Sequence, residues 1–209
     1  MKIKKFDRYE PDERKSLLIS SALRCLISEG YSGLSVRKIT KEANVSQGLV
    51  NHHFGSVYNL IAQTYNVIST DFLQSVKEQI QISTGSAAEK LDIFFRENFS
   101  EEALDPDLLK AWLVFWSLIR DSKEMEDTYN RVNNETLSLL EELLTNISVE
   151  EKLSIDNISM ATQSLMALLD GLWVRETLFD NKRKSENKES YDALTIARSW
   201  LKGYRAEIF

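Results

Sequence analysis

An all-α fold is what this sequence predicts, and three observations carry the prediction. Two prolines and seven glycines in 209 residues leave most of the chain free to be helical. The aliphatic residues stand among Glu, Lys, Gln and Ala at helical spacings rather than in alternating β-branched runs. Hydrophobic residues make up 43% of the chain, enough for a core at this length, so disorder is set aside. The longest apolar run, residues 111–116, falls far short of the roughly 20 residues a bilayer span needs, so no membrane contact is expected. The charged start MKIKKFDRYEPDERK is not followed by the apolar stretch of a secretory signal, and a cytoplasmic location is expected. Cys25 is the only cysteine, which excludes an internal disulfide framework and argues against a cysteine-based metal site.

The elements follow in order. A first helix is expected over residues 12–28, with Leu18, Ala22, Cys25 and Leu26 on one face and Gly30 as its stop signal. In LSVRKITKEANVSQGLVNHHF, residues 34–54, Ser35 is placed to cap a short helix whose Val36, Ile39 and Ala43 share a face. Asn44 tolerates left-handed backbone where the chain must turn, and Ser46 is placed to cap a second short helix that buries Leu49, Val50 and Phe54. A long helix over residues 56–82 is expected to turn Leu60, Val67, Ile68, Phe72 and Val76 inward, and Ser83 to Ser86 end it. Further helices are expected over residues 87–99, 107–120, 123–147, 149–179 and 189–206. Pro106 separates two of them, and Ser148 with Glu151 gives a capping-box signature at the start of another. The polar stretch DNKRKSENKES, residues 180–190, reads as a solvated loop.

Charge divides the chain. Residues 1–60 hold ten Lys/Arg against six Asp/Glu, whereas the remainder holds sixteen against twenty-six. A basic segment on an acidic body suits a protein whose first part alone meets a polyanion. Residues 1–55 are accordingly expected to be a DNA-binding domain and residues 56–209 a ligand-binding and dimerisation domain.

Two short helices joined by a tight turn make a helix-turn-helix. Gln47, Gly48 and Asn51 are small or polar at the exposed start of the second helix and can approach base edges in a major groove. Ser35, Arg37, Lys38 and Lys41 lie where phosphates can be gripped. The same pattern also suits a helical hairpin inside a bundle. Adjacent His52 and His53 point about 100° apart on a helix and cannot chelate one ion, and no metal or cofactor is expected.

The stretch Ala43-Asn44-Val45-Ser46-Gln47-Gly48, followed by His52-His53-Phe54 and Leu60, resembles the DNA-binding domain of the TetR family of bacterial repressors. The similarity covers about residues 17–60. Asn44 stands where that family usually has Gly, Thr40 where it has Ala, and Val57 where a phosphate-contacting Lys is common. The resemblance implies a homodimeric repressor that binds palindromic double-stranded operator DNA and answers to a small-molecule effector. It implies base contacts from Gln47, Gly48, Asn51 and His52, and phosphate contacts from Ser35, Arg37, Ser46, His53 and Tyr58. The dimer is expected to be held by the last two helices, with Leu165, Leu169 and Leu172, and Leu194, Ala197 and Leu201, as its apolar stripes.

The segment KAWLVFWSLI, residues 110–119, is apolar nearly all round its helix and should be surrounded by other helices. Trp112, Phe115 and Trp116, with Phe94, Phe95, Phe99 and Trp173, can be core or a pocket wall. Glu97-Asn98-Phe99, residues 110–116 and residues 170–175 are similar to the choline-responsive repressors of glycine betaine synthesis within the TetR family. That similarity implies a site for a quaternary ammonium, which has no N–H to donate and is held by aromatic faces and a carboxylate. Trp112, Phe115, Trp116, Trp173 and Asp170 are the implied parts, Asn98 is implied to bind a ligand hydroxyl, and Lys110 is expected to point to solvent. Asp170-Gly171 can instead serve close helix packing, with Asp170 paired to Arg175. Another small hydrophobic or cationic ligand is the alternative effector. A non-DNA-binding enzyme or interaction module is the alternative class, although no Ser/His/Asp order, carboxylate pair or phosphate loop points to catalysis.

Overall fold

A computed structural model describes residues 11–154, 156–178 and 192–206, and every regular element among them is a helix. These are α1 (Pro11–Glu29), a 3-10 turn (Gly30–Gly33), α2 (Val36–Glu42), α3 (Gly48–Phe54), α4 (Val57–Ile82), α5 (Ala87–Asn98), α6 (Pro106–Ser117), α7 (Lys123–Glu151), α8 (Ile158–Leu178) and α9 (Ala193–Arg205). Two compact units result, one from Met1–Ser69 with Lys110–Asn130 and the other from Thr70–Leu109 with Arg131–Phe209.

In the first unit the periodic apolar residues of α1 meet those of the next two helices. Leu18, Ala22 and Cys25 pack with Ile39, Ala43, Val50, Phe54 and Leu60 in one core. Gly33 is needed for that packing, because a Cβ there would lie 2.1 Å from the carbonyl oxygen of Cys25. This unit extends past the boundary expected at residue 55. Its reason is Tyr65 of α4, 3% exposed, whose ring meets Trp112 and Phe115 of α6. Tyr65, absent from the expected inward face of α4, is more buried than Val67 and Ile68.

In the second unit Leu91, Phe94 and Phe95 of α5, Leu140, Leu144 and Ile147 of α7, Leu165 and Leu169 of α8, and Ala197, Leu201 and Tyr204 of α9 form a core. Ser86 and Glu89 cap α5 reciprocally. Arg198 holds Asp92 through two bonds of 2.6 and 2.9 Å, fastening α9 to α5.

Three sequence expectations change here. Ser148 does not start a helix: α7 runs through it to Glu151, and its hydroxyl lies 3.1 Å from the Leu144 carbonyl and 2.6 Å from the Tyr204 hydroxyl. The break comes at Lys152, φ +55°, and Asn157 caps α8 by accepting from the Met160 N–H at 2.8 Å. Leu165, Leu169, Leu172, Ala197 and Leu201 are buried within a single chain, so they cannot also form an interface. Leu194 is packed against the same core. Lastly, α9 begins at Ala193 with Asp192 as its cap, 2.6 Å from the Thr195 N–H. The loop expected over residues 180–190 lies outside the described residues.

Candidate nucleic-acid interface and effector site

The turn between α2 and α3 forms as its residues require. The Ser35 hydroxyl accepts from the Lys38 N–H at 3.3 Å and so starts α2. Thr40 is buried, and its hydroxyl donates to the Val36 carbonyl at 2.7 Å, which lets a polar residue stand where an alanine would fit. Asn44 has φ +53°, and the Val45 N–H closes the turn on the Thr40 carbonyl at 2.9 Å. Helix α3 then starts without a side-chain cap. Gln47 occupies the position expected of Ser46, and Ser46 is exposed. Gly55, at φ +76°, ends α3, and Ser56 caps α4 by accepting from the Asn59 N–H at 3.0 Å.

Val50 and Phe54 bury one face of α3, which leaves Gln47, Gly48, Asn51 and His52 exposed together on the other. Arg37, Lys41 and Tyr58 are also exposed. Lys38 is not free for a phosphate, since its ammonium is paired with Glu29 and donates to the Ser32 carbonyl at 2.9 Å. Val57 packs on the core of this unit, consistent with an apolar residue in place of a lysine. His53 is half-buried, and burial holds its imidazole pKa below the usual value, with the charges of His52, Lys15 and Arg14 adding to the effect. No group of His, Cys, Asp and Glu among the described residues is arranged to hold a metal.

The aromatic residues fall into two clusters, one in each unit. In the first unit the Tyr65 ring stands edge-on to Trp112 and Phe115, each at 5.5 Å between centroids, and Trp116 lies 6.5 Å from Trp112. Phe115 is fully buried and Trp112 is 9% exposed, whereas Trp116 is half-buried and Lys110 is exposed. Tyr65 is the aromatic that sequence reasoning missed. Its signal was a four-residue step from Ile61 that continues to Ser69, the most buried line of α4 in this unit.

In the second unit Trp173 stands edge-on to Phe72 at 6.5 Å. Asp170, one turn earlier on α8, is half-buried, and burial alone pushes its carboxyl pKa up to about 6. No neighbouring cation acts on it, so the pairing with Arg175 is not made. Gly171 is exposed, with nothing within 4 Å of where a Cβ would stand, so close helix packing within the chain does not require it. Asn98 is buried, and its amide donates to the Phe94 carbonyl at 2.8 Å. The part it retains for a ligand is therefore its acceptor oxygen. An anionic carboxylate without a counter-charge beside an aromatic ring can hold a cation that lacks hydrogen-bond donors.

Known proteins share these features. Residues 18–64 match the tetR family of bacterial regulatory proteins, and residues 87–194 match the C-terminal domain of the BetI-type transcriptional repressors. The HTH-type transcriptional regulator BetI of Vibrio campbellii is 28% identical over 171 residues, covering 80% of this chain and 82% of its own. A crystal structure from Pseudomonas aeruginosa PAO1, assigned as a transcriptional regulator, is 34% identical, covers 97% of this chain and 95% of its own, and has a TM-score of 0.83. Another, from Saccharomonospora viridis in complex with choline, is 16% identical, covers 92% and 95%, and has a TM-score of 0.72. At that identity it supports the fold alone.

Proposed function

Because the chain belongs to the TetR family, with the C-terminal domain of the BetI-type repressors, we propose that it is a transcriptional repressor that senses choline or a related quaternary ammonium and controls osmoprotectant metabolism. The observation that carries the ligand class is Asp170: a half-buried carboxylate with no counter-charge, one helical turn from the Trp173 ring. A cation without N–H groups supplies the missing charge and presents methyl groups to aromatic faces. Trp112 and Trp116 are the corresponding aromatic candidates in the first unit, and each cluster is tested by its own substitution. The relatives named BetI and the choline-bound neighbour support the same ligand class.

The protein acts as a regulator rather than an enzyme, in the cytoplasm where operator DNA lies. A single short recognition helix makes few contacts, and a two-fold dimer that presents two of them to successive major grooves reads a palindrome. With the leucines of α8 turned into the core, the dimer face is assigned to Met160, Ala167, Gly171 and Leu178, exposed residues that recur at seven, four and seven positions along α8. Gln47, Gly48, Asn51 and His52 are assigned to bases, and Ser35, Arg37, Ser46, His53 and Tyr58 to phosphates.

Calorimetry with choline, and with the uncharged analogue in which carbon replaces nitrogen, tests the effector. Choline is expected to bind far more tightly, and Trp173→Ala to weaken it roughly two- to thirtyfold. Equal affinity for the two compounds would eliminate a cation site.

A further inference from the structure

The opening turn of α1 and the end of α3 bring together basic side chains that lie almost forty residues apart in sequence. The two helices share a core in which Leu18 meets Val50 and Phe54. Arg14 is one helical turn before Leu18 on the same side of α1, and His53 immediately precedes Phe54 on α3. The charged groups that act on His53 are accordingly Lys15 and Arg14 from α1 and His52 from its own helix, whose ring lies 4.8 Å away. All of them are basic.

Other cations of this unit are used by the fold itself. Arg24 is held by Glu42 at 2.8 Å and Lys38 by Glu29. Arg14 and Lys15 have no carboxylate partner among the described residues, and Glu13, the acid next to them, has an interaction of its own and does not act on His53. The Nε2 of His53 is buried without a hydrogen-bond partner among the described residues. The corner therefore gathers like charges beside an imidazole nitrogen that lacks a partner. Like charges held close repel in a partly buried setting, and an anion placed among them would relieve every pair at once.

We infer that Arg14 and Lys15, with His53, form a second anchor for the DNA backbone, which grips a phosphate beside the recognition helix. This rests on the DNA-binding reading above. Asn51 and His52, exposed on α3 next to the corner, are the side chains that reading gives to base edges, so the phosphate is one flanking the bases they read. The contact carries no sequence information. Its task is to fix how far α3 enters the groove.

The test uses the full chain and a mixed-sequence DNA duplex about three helical turns long, with binding followed by fluorescence anisotropy over a series of salt concentrations. The slope of log affinity against log salt is expected to fall by about one for each phosphate-contacting cation removed. Arg14→Gln with Lys15→Gln should lower it by about two per DNA-binding head, and Lys15→Gln alone, at an exposed position that leaves folding intact, by about one. A slope unchanged by either variant, while Arg37→Ala lowers it, overturns the anchor and leaves the helix-turn-helix reading standing. Absence of salt-dependent duplex binding by the wild type removes that reading and the anchor with it. In a second measurement, the His53 imidazole is titrated by NMR. Its pKa should rise in the double variant, and rise in the wild type when the duplex is added. A His53 titration that the duplex leaves unmoved also overturns the anchor.

Discussion

Replacing Asp170 with asparagine should stabilise the protein at neutral pH and remove a pH dependence that the wild type carries. Asparagine keeps the shape of the side chain and removes its charge. The folded carboxyl has a pKa of about 6 against an ordinary 3.8, raised by burial. Between those values the folded chain holds a proton that the unfolded chain has released, so stability falls as pH rises through this window. The full difference is about 3 kcal/mol at 1.36 kcal/mol per pH unit, of which about 2 falls between roughly pH 4.5 and 7.5. Urea denaturation of both proteins at several pH values measures it. The stability of Asp170→Asn relative to wild type is expected to grow by about 2 kcal/mol from the acidic to the neutral end. Parallel profiles would show that the carboxylate is not held in a desolvated site, and the argument for a cation there would lose its main support. Choline should recover stability in the wild type above pH 6 and much less in the variant, because the cation supplies the charge that the asparagine no longer calls for.

Two glycines predict opposite outcomes. Gly33→Ala sets a Cβ 2.1 Å from one backbone atom of Cys25 and 2.7 Å from another, neither of which can swing away. A loss on the order of 1–3 kcal/mol or more is expected by thermal denaturation, and an unchanged melting temperature would contradict the packing of α1 on the turn that follows it. Gly48→Ala meets nothing within 4 Å and needs no left-handed backbone, so the variant should gain about 0.4–1 kcal/mol of stability. The same methyl group stands at the base-facing start of α3, and anisotropy with the duplex should show weaker binding. A variant that is both more stable and equally tight on DNA would refute that placement.

Local chemistry determined much of this protein from sequence alone. The spacing of Leu18, Ala22, Cys25, Ile39, Val50 and Phe54 gave the first core, the Ser35 hydroxyl gave the start of α2, and Asn44 gave the left-handed turn, because each depends on neighbours a few residues away. The exposed faces of Gln47, Asn51 and His52 followed from the buried faces of Val50 and Phe54 on the same short helix. Tertiary structure decided which of several plausible faces was covered. Leu165 and Leu169 read equally well as interface or core until α5, α7 and α9 took them up. Ser148 carried a capping signature, but the Tyr204 hydroxyl from α9 offered a buried partner and α7 continued through it. Tyr65 found Trp112 and Phe115, Arg14 came to lie by His53, and Asp170 was buried without a counter-charge, each set by residues remote in sequence. Helical periodicity says which residues share a face. Only packing between distant elements says what that face meets, and the burial that results sets the proton affinity of a group such as Asp170.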